Sequence, residues 1–306
     1  MELYLTIAQI SVNWVAILAM GSAVGFLSGM LGVSGGFIMT PLLIFYGIPP
    51  SVSVATQASP IAAASLVGAI SKGNRHSVDY KMGFALLCGG LVGSAIGVVL
   101  FRYLQRLGQI DVVVEISYVL LLGSVGGLML SESLRAFLAA RRGTPLPAHK
   151  PGQHTWIHKL PFKMRFRQSR LYISVIPVVI LGLMVGTMTA ILGTGGAFLL
   201  IPAKIYFLRM RTDIAVGTSQ FQMFIVACMT TLMHATTDGT VDIVLAFLLV
   251  LGGVLGAQFG TGIASRLRSD QLRMFFAILL LLIATQLFVG LVHQPDDIYS
   301  IVLGSR

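Results

Sequence analysis

Charge is scarce in this sequence. Of its 306 residues only 11 are acidic and 21 are Lys or Arg, so charged side chains make up 10% of the chain, where ordinary soluble domains carry about 25%. With 56% hydrophobic residues and a mean hydropathy of +0.87, that scarcity excludes a soluble globular domain and equally a disordered one. Cysteine is almost missing as well. Cys88 and Cys228 each sit inside an apolar run, which excludes a disulfide framework and a C-x-x-C metal site and leaves packing as their expected role. Histidines with regular metal-ligand spacing are also lacking: His149, His154 and His158 follow no such pattern, so no metal and no cofactor is expected. A secretory signal is absent too, because MELYLTIAQ has no Lys or Arg and the apolar stretch after it is too long for a signal core. The first run is expected to be a retained helix.

What the chain does contain is long apolar runs. Eight of them, near 12–31, 53–71, 82–101, 113–131, 172–193, 214–234, 243–264 and 274–293, are long enough to cross about 30 Å of hydrocarbon as helix. Two more, 36–48 and 197–208, reach only about 18 Å and are expected to be half-helices. The prediction is an all-α, polytopic membrane protein of about ten helical segments.

The short runs belong to an internal repeat. A shift of 161 places Gly32 on Gly193, Gly35 on Gly196, Phe37 on Phe198 and Pro41 on Pro202. A shift of 162 places Val54 on Val216 and Thr56 on Thr218, and one of 163 places Val78 and Asp79 on Val241 and Asp242. At that last shift Gly89, Gly90, Gly93 and Gly97 fall on Gly252, Gly253, Gly256 and Gly260. Three units follow: a first transmembrane repeat over 1–131, a basic linker over 132–171 and a second repeat over 172–306. If each short run re-enters the membrane, each repeat makes five passes, and an odd count inverts the second copy. The repeats are therefore expected to be inverted, with broken helices at their Gly-rich turns.

Positive charge provides an independent test, since short cytoplasmic loops collect Lys and Arg. With the N-terminus outside, the inner side holds Lys72, Arg75 and Lys81, nine residues of the linker, Arg209 and Arg211, and then Arg266, Arg268 and Arg273. The outer side holds Arg102, Arg106 and Arg306. Seventeen against three predicts both termini outside an inner membrane and the linker in the cytoplasm. Orientation also explains the net charge of +10 without a nucleic-acid partner. Within the linker, 156–166 is a candidate interfacial segment resting on anionic lipid, the rest a solvated tether.

The stretch GMLGVSGGF, residues 29–37, formally matches the hydrolase pattern G-x-S-x-G at Ser34. A hydrolase needs a base beside the serine, and no His or Lys is placed there by sequence. The repeat mate, ILGTGGAF, has Thr194 followed by Gly195 and Gly196. What the copies share is a hydroxyl residue before Gly-Gly, in Ser34-Gly35-Gly36 and Thr194-Gly195-Gly196, which is a backbone requirement. Ser34 and Thr194 are candidate N-caps of the short helices, whose N-termini would turn partial positive charge toward a small anionic substrate. A tight hairpin without a ligand is the alternative.

Other polar residues stand in apolar surroundings. Thr56, Gln57 and Ser59 in the first repeat and Thr218, Ser219, Gln220 and Gln222 in the second either glue helices together or face a shared cavity. Pro60 is expected to relax its helix. Lys204, whose repeat mate is Leu43, either snorkels to the inner face or serves as a counter-charge for substrate. Asp79 and Asp242 each open a helix and are expected to cap it. The glycine ladders are expected to let helices approach closely.

These paired turns with their Pro-containing segments, GVSGGFIMTPLL and GTGGAFLLIPAK, followed by ATQ and GTSQ, resemble the TauE/SafE family, also called the toluenesulfonate uptake permease family. The resemblance covers nearly the whole chain except the linker, which is longer than in that family. It implies a secondary transporter of small sulfur-containing anions such as sulfite or organosulfonates, with export as the expected direction, and not an enzyme. An intramembrane serine hydrolase using Ser34 and a passive anion channel are the alternatives. The lipid bilayer and the anion are the expected partners.

Overall fold

A computed structural model describes residues 2–31, 35–73, 77–141, 162–166, 168–169, 171–206, 208, 210, 212–264 and 269–292. The order of elements repeats. A hairpin of β1 (Glu2–Leu5) and β2 (Ile10–Asn13) leads into α1 (Trp14–Leu31), the short α2 (Gly36–Phe45), α3 (Pro50–Gly73), α4 (Tyr80–Arg106) and α5 (Ile110–Arg141). A second hairpin of β3 (Lys163–Phe166) and β4 (Leu171–Ser174) leads into α6 (Val175–Leu192), the short α7 (Ala197–Tyr206), α8 (Thr212–Thr237), α9 (Ile243–Ala264) and α10 (Ser269–Val292). Seven of these helices are long and apolar enough to cross a membrane, and α1 adds an apolar stretch from Trp14 to Met30. The two short runs form helices of ten residues each, about 15 Å long.

Helix packing follows the glycines. α1 lies along α9, and α6 along α4, while α3 lies on α8 and α5 on α10. Exchanging the two repeats maps this set of partners onto itself. The ladders make the first two pairs unusually close: a Cβ added to Gly25 would lie 2.7 Å from the Gly253 Cα, and one added to Gly252 would lie 2.6 Å from the Leu18 carbonyl oxygen. Without a hydrophobic driving force between helices in lipid, such backbone proximity supplies the packing energy. Cys88 departs from expectation, since it is exposed on the outer surface of α4 and not packed within the protein.

Neither hairpin was anticipated, because the apolar run beginning at 12 reads straight into α1. Both dock inward, with Leu5 and Val12 of the first and Phe166 and Ile173 of the second buried. Each tip meets an aspartate. Asp242 Oδ2 accepts the Ile7 N–H at 3.3 Å, and Asp79 Oδ2 accepts the Ser169 N–H at 3.0 Å and its hydroxyl at 2.7 Å. The other carboxylate oxygen caps the helix as expected: Asp79 Oδ1 accepts from Met82 N–H at 3.3 Å, and Asp242 Oδ1 from Val244 and Leu245 at 3.1 Å each. α5 continues to Arg141 and β3 begins at Lys163, so both enter the span expected as linker. Residues 142–161, with His149, His154 and His158, lie outside the described residues, and the expected interfacial segment shows only its end, as strand β3.

Candidate functional site

The broken helix of the second repeat shows why glycine is needed there. α6 ends at Gly193 with φ 62°, and Gly195 and Gly196 follow at φ 72° and 50°, a left-handed run that side chains rarely adopt. The carbonyls stranded at that helix end find side-chain partners. Tyr118 donates its hydroxyl to Leu192 O at 2.5 Å, and His234 Nε2 lies 3.1 Å from Ala190 O, its Nδ1 held by Asp238 at 3.1 Å. His234 is thus absorbed in supporting the break. In the first repeat Gly35 has φ −74°, so its smallness serves space: a Cβ there would lie 2.6 Å from Val24 Cγ1.

The two turns come together. A Cβ on Gly36 would lie 3.0 Å from the Gly193 carbonyl oxygen, so the start of α2 touches the end of α6. Gly35 occupies the N-cap of α2 with no side-chain cap bond, the expected cap Ser34 lies outside the described residues, and Thr194 is fully buried with a hydroxyl that has no partner among the described residues. In both short helices the glycine carbonyl begins the ladder: Gly35 O accepts from Ile38 and Met39, and Gly196 O from Leu199 and Leu200.

A cavity of about 470 Å³ adjoins the first turn. Its wall includes Gly35 and Gly36, Gln57, Pro60 and Ile61 of α3, Gln220 of α8, and the glycine faces of α1 and α9. Gln57 and Gln220 are buried, and among the described residues the Oε1 atom of each has no hydrogen-bond partner. Each glutamine thus holds polar capacity in reserve at the cavity, a costly state unless a ligand or water uses it. Pro60, having no N–H, leaves the Thr56 carbonyl without its helical donor beside the same space.

The remaining expected residues divide. Thr56 Oγ1 accepts the Asp242 N–H and Thr218 Oγ1 the Asp79 N–H, both at 3.0 Å, so each threonine ties one repeat to the other. Ser219 donates to Ala215 O at 2.8 Å and accepts from Lys204 Nζ at 2.9 Å. Lys204 does not snorkel: it is fully buried, with Asp79 the carboxylate that acts on it electrostatically. Lys204, Ser219, Thr194, Gly195 and Gly196 are not among the residues of the cavity wall. Two polar wall residues were not singled out by the sequence, Ser28 of α1 and Gln258 of α9. Gln258 was open to discovery, as an amide inside an apolar run.

Alanine at the turn glycines, which sequence alone suggests would merely block an anion, meets protein first. At Gly35 the methyl strikes Val24, and at Gly196 it lies 2.8 Å from Thr189 Oγ1 with φ already strained. Such variants test packing and not binding.

Among the described residues ten helices, two of them short and next to Gly-rich turns, pack around a cavity lined by both repeats, the architecture of a polytopic membrane protein. The family model described as Sulfite exporter TauE/SafE matches residues 17–287, and the chain belongs to that family. It is similar to a probable membrane transporter protein of Xylella fastidiosa (strain 9a5c), 28% identical over 88% of this chain and 92% of the relative. Two proteins of Bacillus subtilis (strain 168) are similar as well. YjnA is 28% identical over 87% of this chain and 96% of its own, and YunE 25% over 90% and 97%; both are named probable membrane transporter proteins. No solved structure matches significantly.

Proposed function

We propose that this transporter moves a small sulfur-containing anion, sulfite or an organosulfonate, outward across the inner membrane, by alternating access of two inverted repeats joined by the 132–171 linker with both termini outside. The observation that carries the reading is the cavity where the N-terminus of α2, at Gly35 and Gly36, meets the unsatisfied amides of Gln57 and Gln220. A helix N-terminus offers free N–H groups and about half a positive charge, and an amide can turn its NH₂ toward a sulfonate oxygen. The Thr194-Gly195-Gly196 turn, reached through Gly193 at Gly36, forms the second half of the site. Lys204, held by Ser219, supplies the compensating positive charge from behind, and Thr56 and Thr218 hold the helices that carry Gln57 and Gln220.

The test is binding and flux in purified protein and proteoliposomes, with a panel of sulfite, thiosulfate, sulfoacetate and longer sulfonates. Saturable flux of at least one anion is expected. Gln57→Leu and Gln220→Leu are each expected to weaken its binding ten-fold or more without lowering the unfolding temperature, since each removes an orphaned carbonyl. Wild-type affinity in both variants would move the substrate site elsewhere. Flux that never saturates would favour the channel, and covalent labelling of Ser34 by a fluorophosphonate the hydrolase.

A further inference from the structure

Repeat-related positions that carry the same residue should look alike unless the two repeats are in different conformations. On the scaffold faces they do. Gly89, Gly93 and Gly97 press on the α6 backbone as Gly252, Gly256 and Gly260 press on that of α1. The faces turned toward α3 and α8 differ. A Cβ on Gly90 would lie 2.9 Å from Val226 Cγ2 and 3.2 Å from Gln222 Nε2, whereas one on its mate Gly253 would meet nothing within 4 Å.

Three contacts close the seam between α4 and α8. Ser94 Oγ and Thr230 Oγ1 are 2.9 Å apart; Thr230 gives its proton to Val226 O at 2.8 Å, so Ser94 is the donor across the seam. Gln222 Nε2 donates to Leu86 O at 3.4 Å, and Gly90 packs on Val226. The repeat mates of these three pairs are Ala257 and Gly68, Leu249 and Pro60, and Gly253 and Ala64. All six line the cavity. Every contact that seals one seam thus corresponds to a pair of cavity-wall residues in the other.

We propose that the α4/α8 and α3/α9 seams are the two gates of the transporter, that this structure has the first closed and the second open, and that Ser94 with Thr230 forms the latch of the closed gate. Transport exchanges the two conditions. Closing the second gate brings Gly68 and Ala257 together, and their small size lets the α3 and α9 backbones approach without a hydroxyl pair. The proposal rests on the transporter reading of the same cavity.

Paired cysteines test it, in a background where Cys88→Ser and Cys228→Ala remove the native thiols. Ser94→Cys with Thr230→Cys is expected to cross-link under mild oxidation, reduce flux at least ten-fold and regain it on reduction. Gly68→Cys with Ala257→Cys is expected to cross-link during turnover, with the same reversible loss. A third cysteine, Val67→Cys on the cavity wall, should react with N-ethylmaleimide at least ten times faster under the first cross-link than under the second. Because Gly68→Cys must displace Gln220, Gly253→Val offers a check in open space: it should stay folded, keep Val67→Cys reactive and lose flux. Undiminished flux through a cross-linked Ser94→Cys/Thr230→Cys protein, or a Gly253→Val protein with normal flux, overturns the gate while the transporter stands. Thiol reactivity that alternates in a protein carrying none of the tested anions keeps the gate and overturns the substrate.

Discussion

Replacing Lys204 with methionine separates stability from transport. The Lys204 ammonium is fully buried; among the described residues it donates one hydrogen bond, to Ser219, and no carboxylate stands within ion-pair distance of it. Removing such an ion from water costs several kcal/mol even after the surroundings relax. The hydrogen bond returns about 1.5–3 kcal/mol. These terms nearly cancel, so an apolar side chain of similar length leaves stability unchanged or raises it by about 1–4 kcal/mol. Lys204→Met is therefore expected to unfold at the same temperature as wild type or higher, read by thermal unfolding of purified protein in detergent. Flux is expected to fall ten-fold or more, because the anion loses its compensating charge. A Lys204→Met protein that melts earlier yet transports normally would refute the reasoning and make the amine a structural strut.

Gly193→Ala is expected to destabilise by about 2 kcal/mol or more, since a strained φ is joined by a Cβ placed 2.6 Å from Val54 O; Gly47→Ala, with φ 93° but nothing within 4 Å, should cost only about 1 kcal/mol. Equal melting of the two variants would show that the contact between the turn and α3 is not made. Asp79→Ala strands the Ser169 N–H and hydroxyl and uncaps α4, a loss of about 2–4 kcal/mol, while Asp79→Asn keeps an accepting oxygen and should lose less than half of that by denaturant titration. Cysteines introduced at Ser300 and Gly152 are expected to react with an impermeant maleimide from opposite sides of the membrane, and labelling from the same side would end the proposed topology.

Much of the fold was legible because lipid imposes a coarse rule: a run of about 20 apolar residues becomes a spanning helix. The half-helices were legible for the same reason, being too short to span. The hairpins were not. E-L-Y-L, I-S-V-N, K-M-R-F and L-Y-I-S alternate over only four residues each, too few to stand out beside apolar runs, and their stability comes from tertiary contacts with Asp79, Asp242 and the helix ends. Thr56 and Thr218 were correctly paired by the repeat, but whether a hydroxyl serves a ligand or a neighbouring N–H depends on which helix faces it. Spacing along one chain does not encode that.

The repeat nonetheless carries a sharper signal than residue type. Several residues that both copies keep serve as scaffold: Asp79 with Asp242 cap helices, Thr56 with Thr218 join the repeats, and the glycine ladders bring backbones together. Several positions where the copies differ lie at the cavity wall, at its gates or behind it. Gln57 answers Ser219, Gln220 answers Ala58, Lys204 answers Leu43, and Ser94 with Thr230 answer Ala257 with Gly68. A ligand held between two pseudo-equivalent units has no such symmetry of its own, and the proposed site adds to the paired turns Gln57 and Gln220, which break the repeat. Those differences set the energies of the two access states apart, whereas identical inverted repeats would leave them equal, and a substrate shifts that balance only by its differential affinity for the two states.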